Sequence, residues 1–188
     1  ELWEIDAAKH RPGLVVHGAG WPLSENNASG GSFLYHFEDR LVALGLIADL
    51  SYTNPYLSPF DELQRYKTHP LIKQILKGGK RIGYGARAIT KGGINSLPKM
   101  SMPGALLVGC DAGTLNFSKI KGTHTAMKSG MVAAETLFEA LRNGDPGGRD
   151  LTEYNSAFQA SWVYRELYTY RNFGPALHRF GTYLGGAF

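Results

Sequence analysis

Cysteine is almost missing: Cys110 is the one thiol among 188 residues. A single thiol closes no intramolecular disulfide and supplies neither a zinc nor an iron–sulfur ligand set, so it reads as a small buried residue. Also missing is any apolar run near the about 18 residues that a membrane-crossing helix needs, and no signal peptide is recognisable at Glu1. Charge of one sign is not in large excess. The formal net charge is +4, with no Lys/Arg run and no groove-reading motif. Nucleic-acid binding is therefore unsupported, and a preference for anionic lipid is as good a reading. Six histidines occur without H-E-x-x-H or another paired spacing. With no Ser-His-Asp or paired-carboxylate constellation either, the sequence names no metal ligand and no catalytic side chain, and nothing suggests hydrolysis.

What is present is glycine and tyrosine, 24 and ten residues, in a chain that is 43% hydrophobic. That is material for one good core or two small ones, with tight turns and amphipathic contact surfaces. The chain opens without Met at Glu1, on Leu2 to Ile5, which alternates like a strand already under way, and so reads as a fragment. Strands are expected at Leu2 to Ile5 and Leu14 to His17, and an antiparallel hairpin from Phe33 to Phe37 and Leu41 to Leu50. Its second arm is apolar on both faces, hence central or covered. Ser58-Pro59-Phe-Asp61 is a helix start with Ser as N-cap and Pro at the first helical position. That helix is expected to turn Phe60, Leu63 and Tyr66 inward, and Pro70 restarts it to Leu76. Lys80 to Ile89 alternates again, with Ile82, Tyr84, Ala86 and Ala88 on one face.

The stretch from Gly104 to Gly130 is expected to read strand, glycine-rich turn, helix. Ala105 to Val108 has the look of a buried strand, and Gly109 and Gly113 allow close backbone approach to something bulky. Past Gly122, the residues Met127, Met131, Ala134, Phe138 and Leu141 form one helical stripe, and Ala126, Gly130 and Ala133 form a small face beside it. The N–H groups at Gly122 to Thr125 point ahead of the helix, a place for an anion or a carbonyl oxygen. A strand ending in Gly-x-Asp-Ala before such a helix is a common half of an FAD site, and equally an ordinary strand-to-helix connection. On the first reading Asp111, Gly113, Gly122, Thr123 and Thr125 are the FAD candidates, with Asn95 a further one. On the second, each Thr is a helix-start cap. Lys119, Lys121 and Lys128 are solvated charges or complement an acidic partner, and His124 is at most a polar residue beside the flavin.

The run Gly109-Cys-Asp-Ala-Gly-Thr-Leu-Asn-Phe-Ser-Lys-Ile-Lys-Gly-Thr-His-Thr-Ala-Met-Lys-Ser-Gly130 resembles the electron transfer flavoprotein-ubiquinone oxidoreductase family. So do Gly30-Gly-Ser-Phe-Leu-Tyr-His36, Asn54-Pro-Tyr-Leu-Ser-Pro-Phe60 and Gly78-Gly-Lys-Arg-Ile-Gly-Tyr-Gly-Ala-Arg-Ala88. The resemblance implies a flavoprotein oxidoreductase, an electron-transferring-flavoprotein dehydrogenase, that passes electrons from reduced electron transfer flavoprotein through a 4Fe-4S centre and FAD to membrane ubiquinone. It implies a monotopic protein of the bacterial inner membrane or the matrix side of the mitochondrial one. The family's N-terminal dinucleotide fingerprint and its cluster-holding cysteines do not occur in this sequence, so the fragment by itself is expected to be inactive. Gly30 and Gly31 would contact the ubiquinone head through backbone; a β-bulge at a strand start is the other reading of that pair. Ser29 stands where the family usually has Tyr. Two other readings are a FixC-like or geranylgeranyl-reductase-like FAD oxidoreductase and a quinone- or lipid-binding module without redox function.

The fold expected is α+β: an antiparallel sheet with short helices as a quinone-binding region over 1–100, the closing strand–helix part of an FAD-binding α/β domain over 101–143, and C-terminal helices over 149–188. Asn143 to Gly148 is the expected linker. Beyond it Tyr154, Phe158, Trp162 and Tyr168 suggest one aromatic-faced helix over Leu151 to Arg171. The tail from Asn172 to Phe188 carries Phe173, Leu177, Phe180, Tyr183, Leu184 and Phe188, with His178 and Arg179 as its titratable groups. It either packs on the rest of a larger protein or lies in a membrane interface.

Overall fold

Strand β4, Leu41–Ala48, is the middle of a five-stranded sheet, because its Val42 and Leu44 are fully buried on one face and its other face is half-covered. The computed structural model describes residues 1–145 and 147–187 and divides into two compact units, Glu1–Ala86 and Arg87–Phe188. In the first unit the other strands are β1 (Leu2–Glu4), β2 (Val15–Ala19), β3 (Gly30–His36) and β5 (Lys80–Gly83), in the spatial order β2-β3-β4-β1-β5. Every pairing is antiparallel. The β3–β4 register runs unbroken from Gly30↔Ala48 to His36↔Val42, so the expected hairpin forms and extends three residues further back than Phe33.

Two helices cover the sheet, α1 (Pro59–Tyr66) and α2 (Pro70–Leu76). Ser58 caps α1 by accepting the Asp61 N–H. Leu34, Val42 and Leu44 from the sheet, with Ile5 just past β1, meet Tyr66, Ile72 and Leu76 from the helices in one core. Two expectations fail here. Phe60 is exposed, since α1 turns the face of Glu62, Leu63 and Tyr66 inward; the buried Glu62 is bonded to Arg65 at 3.0 Å and Asn26 at 3.4 Å. Strand β5 stops at Gly83, and Ile82, Tyr84, Ala86 and Ala88 are all exposed, because no element of this unit packs on that face.

The second unit holds a two-residue hairpin, β6 (Ser101–Met102) with β7 (Ala105–Leu106), and the helices α3 (Gly109–Ala112), α4 (Thr123–Arg142), α5 (Glu153–Ala160), α6 (Trp162–Thr169) and α7 (Phe173–Gly185). Its core joins Met100, Ala112, Val132 and Ala133 to Tyr154, Phe158, Val163 and Leu167. Sequence regions 101–143 and 149–188 thus share one core.

Three further expectations are corrected in this unit. Ala105 to Val108 is not a buried strand: the ladder ends at Leu106, and Leu107 and Val108 are exposed. The stripe Met127, Met131, Phe138 and Leu141 of α4 faces outward, while the helix buries Thr125, Ser129, Val132, Ala133 and Ala140. Ser129, Val132 and Ala133 make the contact within this unit, and of the expected small face Ala133 is buried while Gly130 meets no neighbour. The single aromatic helix is two, broken at Ser161, whose φ of −76° and ψ of 161° are extended. That residue shifts the phase by one, and the inward stripe runs Tyr154, Phe158, Val163, Leu167, leaving Trp162 and Tyr168 exposed.

Helix α7 contains Gly181 at φ 72°, ψ −178°, a break that folds the segment so that Gly185 lies against the backbone of Ala176 and Leu177. Pro146 in the expected linker and Phe188 at the end of the tail lie outside the described residues. No helix among the described residues is long and apolar enough to cross a membrane.

Candidate functional site

In the second unit the candidate residues gather where the chain passes from β7 through α3 into α4. Gly109 and Gly113 bracket α3 with left-handed φ values of 66° and 95°, which squeeze a single helical turn between two reversals. The Gly109 N–H donates to Ser129 Oγ at 2.8 Å, and Ser129 in turn donates to the Ala126 carbonyl at 2.7 Å. This buried relay fixes α3 against α4. Beneath it the Tyr154 hydroxyl donates to the Leu107 carbonyl at 3.0 Å; burial pushes that phenol up to about 12, so it stays a donor throughout the working range of pH.

Asp111 is exposed on the first turn of α3, and Gly113 is buried at its end. Next along the chain, the buried Thr114 hydroxyl has no hydrogen-bond partner. Gly122 precedes α4 with no side-chain cap, so the first N–H groups of a 20-residue helix are left open. Thr123 is exposed; Thr125 is fully buried and donates to the Gly122 carbonyl at 2.9 Å. Asn95 lies on a 3-10 turn, Ile94–Ser96, and its amide donates to the Arg171 carbonyl at 3.1 Å.

Sequence reasoning missed the side chain that holds this loop, Glu166 on α6. Its Oε1 accepts from Asn116 Nδ2 at 2.7 Å and pairs with His124 Nε2 at 2.8 Å, while Oε2 lies 3.3 Å from Lys119 Nζ. Partial burial pushes the Glu166 carboxyl up, and the bonds from Asn116, His124 and Lys119 outweigh that, leaving it below its ordinary value. Asn116 also accepts from the Ser118 hydroxyl and the Lys119 N–H, and pairs with Lys121 across a tight turn. The His124 ring stacks on Trp162 at 5.7 Å between centroids. Lys119 and His124, read as free or flavin-side groups, are thus engaged with an acid of their own chain. A signal existed: Glu166 is the last acidic residue of the sequence and stands 13 residues from the previous one, Glu153.

In the first unit, Gly30 and Gly31 begin β3 between β2 and β4. Gly31 faces Ala19 on one side and Ile47 on the other, and the Gly30 carbonyl accepts the Gly20 N–H at 3.2 Å. The register shows no bulge there, which replaces that reading with a regular ladder. A side chain at Gly30 would run into the Ile47 carbonyl and Leu23, and a Cβ at Gly31 would stand 2.7 Å from the Gly18 carbonyl oxygen. The sheet itself needs glycine at both positions.

Residues 1–89 match the family described as "ETF-QO, ubiquinone-binding", a boundary that falls beside the end of the first unit at Ala86. Over all 188 residues the chain is 65% identical to an electron transfer flavoprotein-ubiquinone oxidoreductase of Pseudomonas aeruginosa, of which it covers 34%. Along its whole length the chain is similar to part of this protein. Mitochondrial proteins of the same name from Bos taurus and Homo sapiens are 52% and 53% identical over 99% and 95% of the chain, which covers 31% and 30% of them. The chain therefore spans about a third of the length of these curated relatives. Both units fall inside the similarity, and so does the Glu166 network.

Proposed function

We propose that the chain is the ubiquinone-binding region and the closing segment of the FAD site of an electron transfer flavoprotein-ubiquinone oxidoreductase, acting at a bacterial or mitochondrial inner membrane. The observation that carries this reading is the match of residues 1–89 to a ubiquinone-binding family within full-length similarity to enzymes of that name. The whole protein takes electrons from reduced electron transfer flavoprotein and delivers two, with two protons, to ubiquinone. In this reading a 4Fe-4S centre is held by parts of the protein other than this chain.

The donor set ahead of α4 suits the pyrimidine edge of a flavin, which presents carbonyl oxygens and gathers negative charge on reduction. The open N–H groups after Gly122 and the Thr123 hydroxyl would face that edge, Asp111 would accept from a ribityl or ribose hydroxyl, and Gly113 would leave room for the backbone to approach. Thr125 would act through its N–H, its hydroxyl already holding the first turn closed. FAD, when bound, supplies the carrier between the incoming electrons and the quinone. Asn95 and the Glu166 network keep these groups in place. At the tail, exposed Phe180, Tyr183 and Leu184 suit a membrane interface, with Arg171, His178 and Arg179 at the phosphate level.

Gly31→Val is a poor test of the quinone site, since the added side chain strikes the sheet before any ligand. Photolabelling is better. An azido-ubiquinone irradiated with the full-length protein should label peptides within residues 15–48, and excess ubiquinone should suppress the label. Suppressible label confined to other peptides would remove the quinone from this sheet.

A further inference from the structure

The turn that leads into β2 is tied to the end of β3 through one residue, His36. The Leu14 N–H donates to the Arg11 carbonyl at 3.0 Å, with Pro12 second and Gly13 third at φ 79°, the pattern of a type II turn. The Gly13 N–H donates to the His36 carbonyl at 3.0 Å, and the His36 N–H donates to the Leu14 carbonyl at 2.9 Å. A third bond uses the side chain: the Arg11 N–H donates to His36 Nδ1 at 3.1 Å. A ring nitrogen that accepts an N–H carries no proton, so the neutral imidazole holds its proton on Nε2. The second proton of the imidazolium can go only to Nδ1. Protonation of His36 and the bond from Arg11 therefore exclude one another.

The surroundings offer the imidazolium nothing in exchange. His36 is 4% exposed, and its Nε2 and that of His10 are both buried without a hydrogen-bond partner among the described residues. The His10 ring lies 5.4 Å away between centroids, tilted by 36°. Val42 of β4 stands opposite His36, and α1 and α2 bring Tyr66, Ile72 and Leu76 to the core under the same face of β3. Of the charged groups nearby, Lys9 donates to the Lys77 carbonyl just past α2, Asp6 is exposed and accepts the Ala8 N–H, and Arg40 pairs with Glu4. Glu38 and Asp39 on the β3–β4 turn are exposed, as are Lys73 and Lys77. Those that act on the His36 ring are His10 and Arg11; burial first, then these two, hold its imidazole below the ordinary 6.5. Once the turn is open, His36 binds a proton more readily, so acid favours the open form.

We propose that the His10–Leu14 turn is a proton-released latch: uptake of a proton at His36 Nδ1 breaks the Arg11 bond, the turn detaches from the end of β3, and the start of β2 frays while the rest of the sheet stays paired. Little resists that opening, because β2 is an edge strand paired with β3 alone and its first residue, Val15, is 57% exposed.

Amide exchange of the full-length protein, followed by mass spectrometry from about pH 8 to about pH 5 and corrected for the intrinsic pH dependence of exchange, reads the latch directly. Peptides covering Arg11 to Val16 should lose protection as the pH falls below 6.5, by at most about tenfold per pH unit because one proton is taken up, while peptides of β4 keep theirs. His36→Asn places an amide oxygen near the position of Nδ1 and takes up no proton, so its turn should stay protected at every pH. His36→Phe removes the acceptor and should exchange at neutral pH as fast as wild type does in acid. Wild-type exchange at the turn that ignores pH, or a His36→Asn turn that opens with acid as wild type does, would mean that His36 is not the sensor and the latch is wrong. Loss of protection in β4 in step with the turn overturns it as well, by making the acid transition an unfolding of the whole sheet. If neither variant folds, wild type still decides: a response confined to the turn and beginning below 6.5 supports the latch, and one that begins only near about 4, where carboxylates titrate, sinks it.

Discussion

Glu166 collects three donors on one carboxylate, two of them from the loop that ends at α4, and its own side chain is mostly covered. Replacing it by Ala leaves Asn116, which is 1% exposed, without the acceptor for its amide. Such a loss costs about 2 kcal/mol, the range for removing a partner of a charged hydrogen bond. Glu166→Gln keeps the shape and one acceptor and should cost about 1 kcal/mol. Because the folded carboxyl lies below its ordinary value of 4.5, the unfolded chain binds the proton more readily, so this contribution is complete above about 4.5 and fades as the pH falls through the lower, folded value. Urea titrations at a series of pH values should therefore show a shallower acid limb for Glu166→Gln than for wild type. Equal slopes would mean that the contacts to Asn116, His124 and Lys119 persist when the carboxyl is neutral. His36 in the first unit acts in a higher window: burial, followed by neighbouring His10 and Arg11, holds its imidazole below 6.5, so what it contributes is present above 6.5 and declines with acid below that.

Glycine carries opposite meanings in two elements, and substitution separates them. Gly130 lies inside α4, and a Cβ there meets nothing within 4 Å. Gly130→Ala should stabilise this chain by about 0.5–1 kcal/mol through helix propensity alone. Gly30→Ala drives a methyl into the Ile47 carbonyl, which cannot move without opening the β3–β4 ladder, and should destabilise by about 3 kcal/mol or more. Denaturant midpoints for the two variants settle the contrast, and two shifts of the same sign would contradict it. The sequence showed where these elements lie better than which way they face. The cap at Ser58, the hairpin of β3 and β4 and the start of α4 are set by local chemistry, and they were legible. The facing of α1 and α4 was not, because apolar periodicity identifies a stripe without saying whether its cover is in the same unit. The break at Ser161 was hidden for a different reason: Trp162 and Tyr168 continue an aromatic spacing that the extended Ser161 puts out of phase. Of the candidate site, the glycines and the uncapped helix start were readable from their run. For Glu166 the sequence offered only its isolation as the last acid of the chain and no sign of its target, since it reaches the loop from 42 residues beyond His124.

At the scale of the whole molecule, the outward stripe of α4 is the feature that most needs an explanation. Met127, Met131, Phe138 and Leu141 are 65%, 53%, 62% and 55% exposed on one side of a single helix, and Leu137 adds to them. A contiguous apolar strip of this kind is a contact surface or a liability. The chain spans about a third of the relatives' length, so most of the residues available to cover the strip in such a protein lie outside the chain. A change at the strip should then act with opposite sign in two settings. In the 188-residue chain alone, Met127→Lys with Met131→Glu removes exposed apolar surface, lowers binding of an apolar dye and shifts the protein toward monomer in sedimentation velocity. In the full-length protein the same pair would place two charges in a packed contact, at a cost of several kcal/mol, and should lower the melting temperature or prevent folding. If the double variant is neutral in the full-length protein, the strip is solvent-facing there too, and α4 needs no partner beyond α3, α5 and α6.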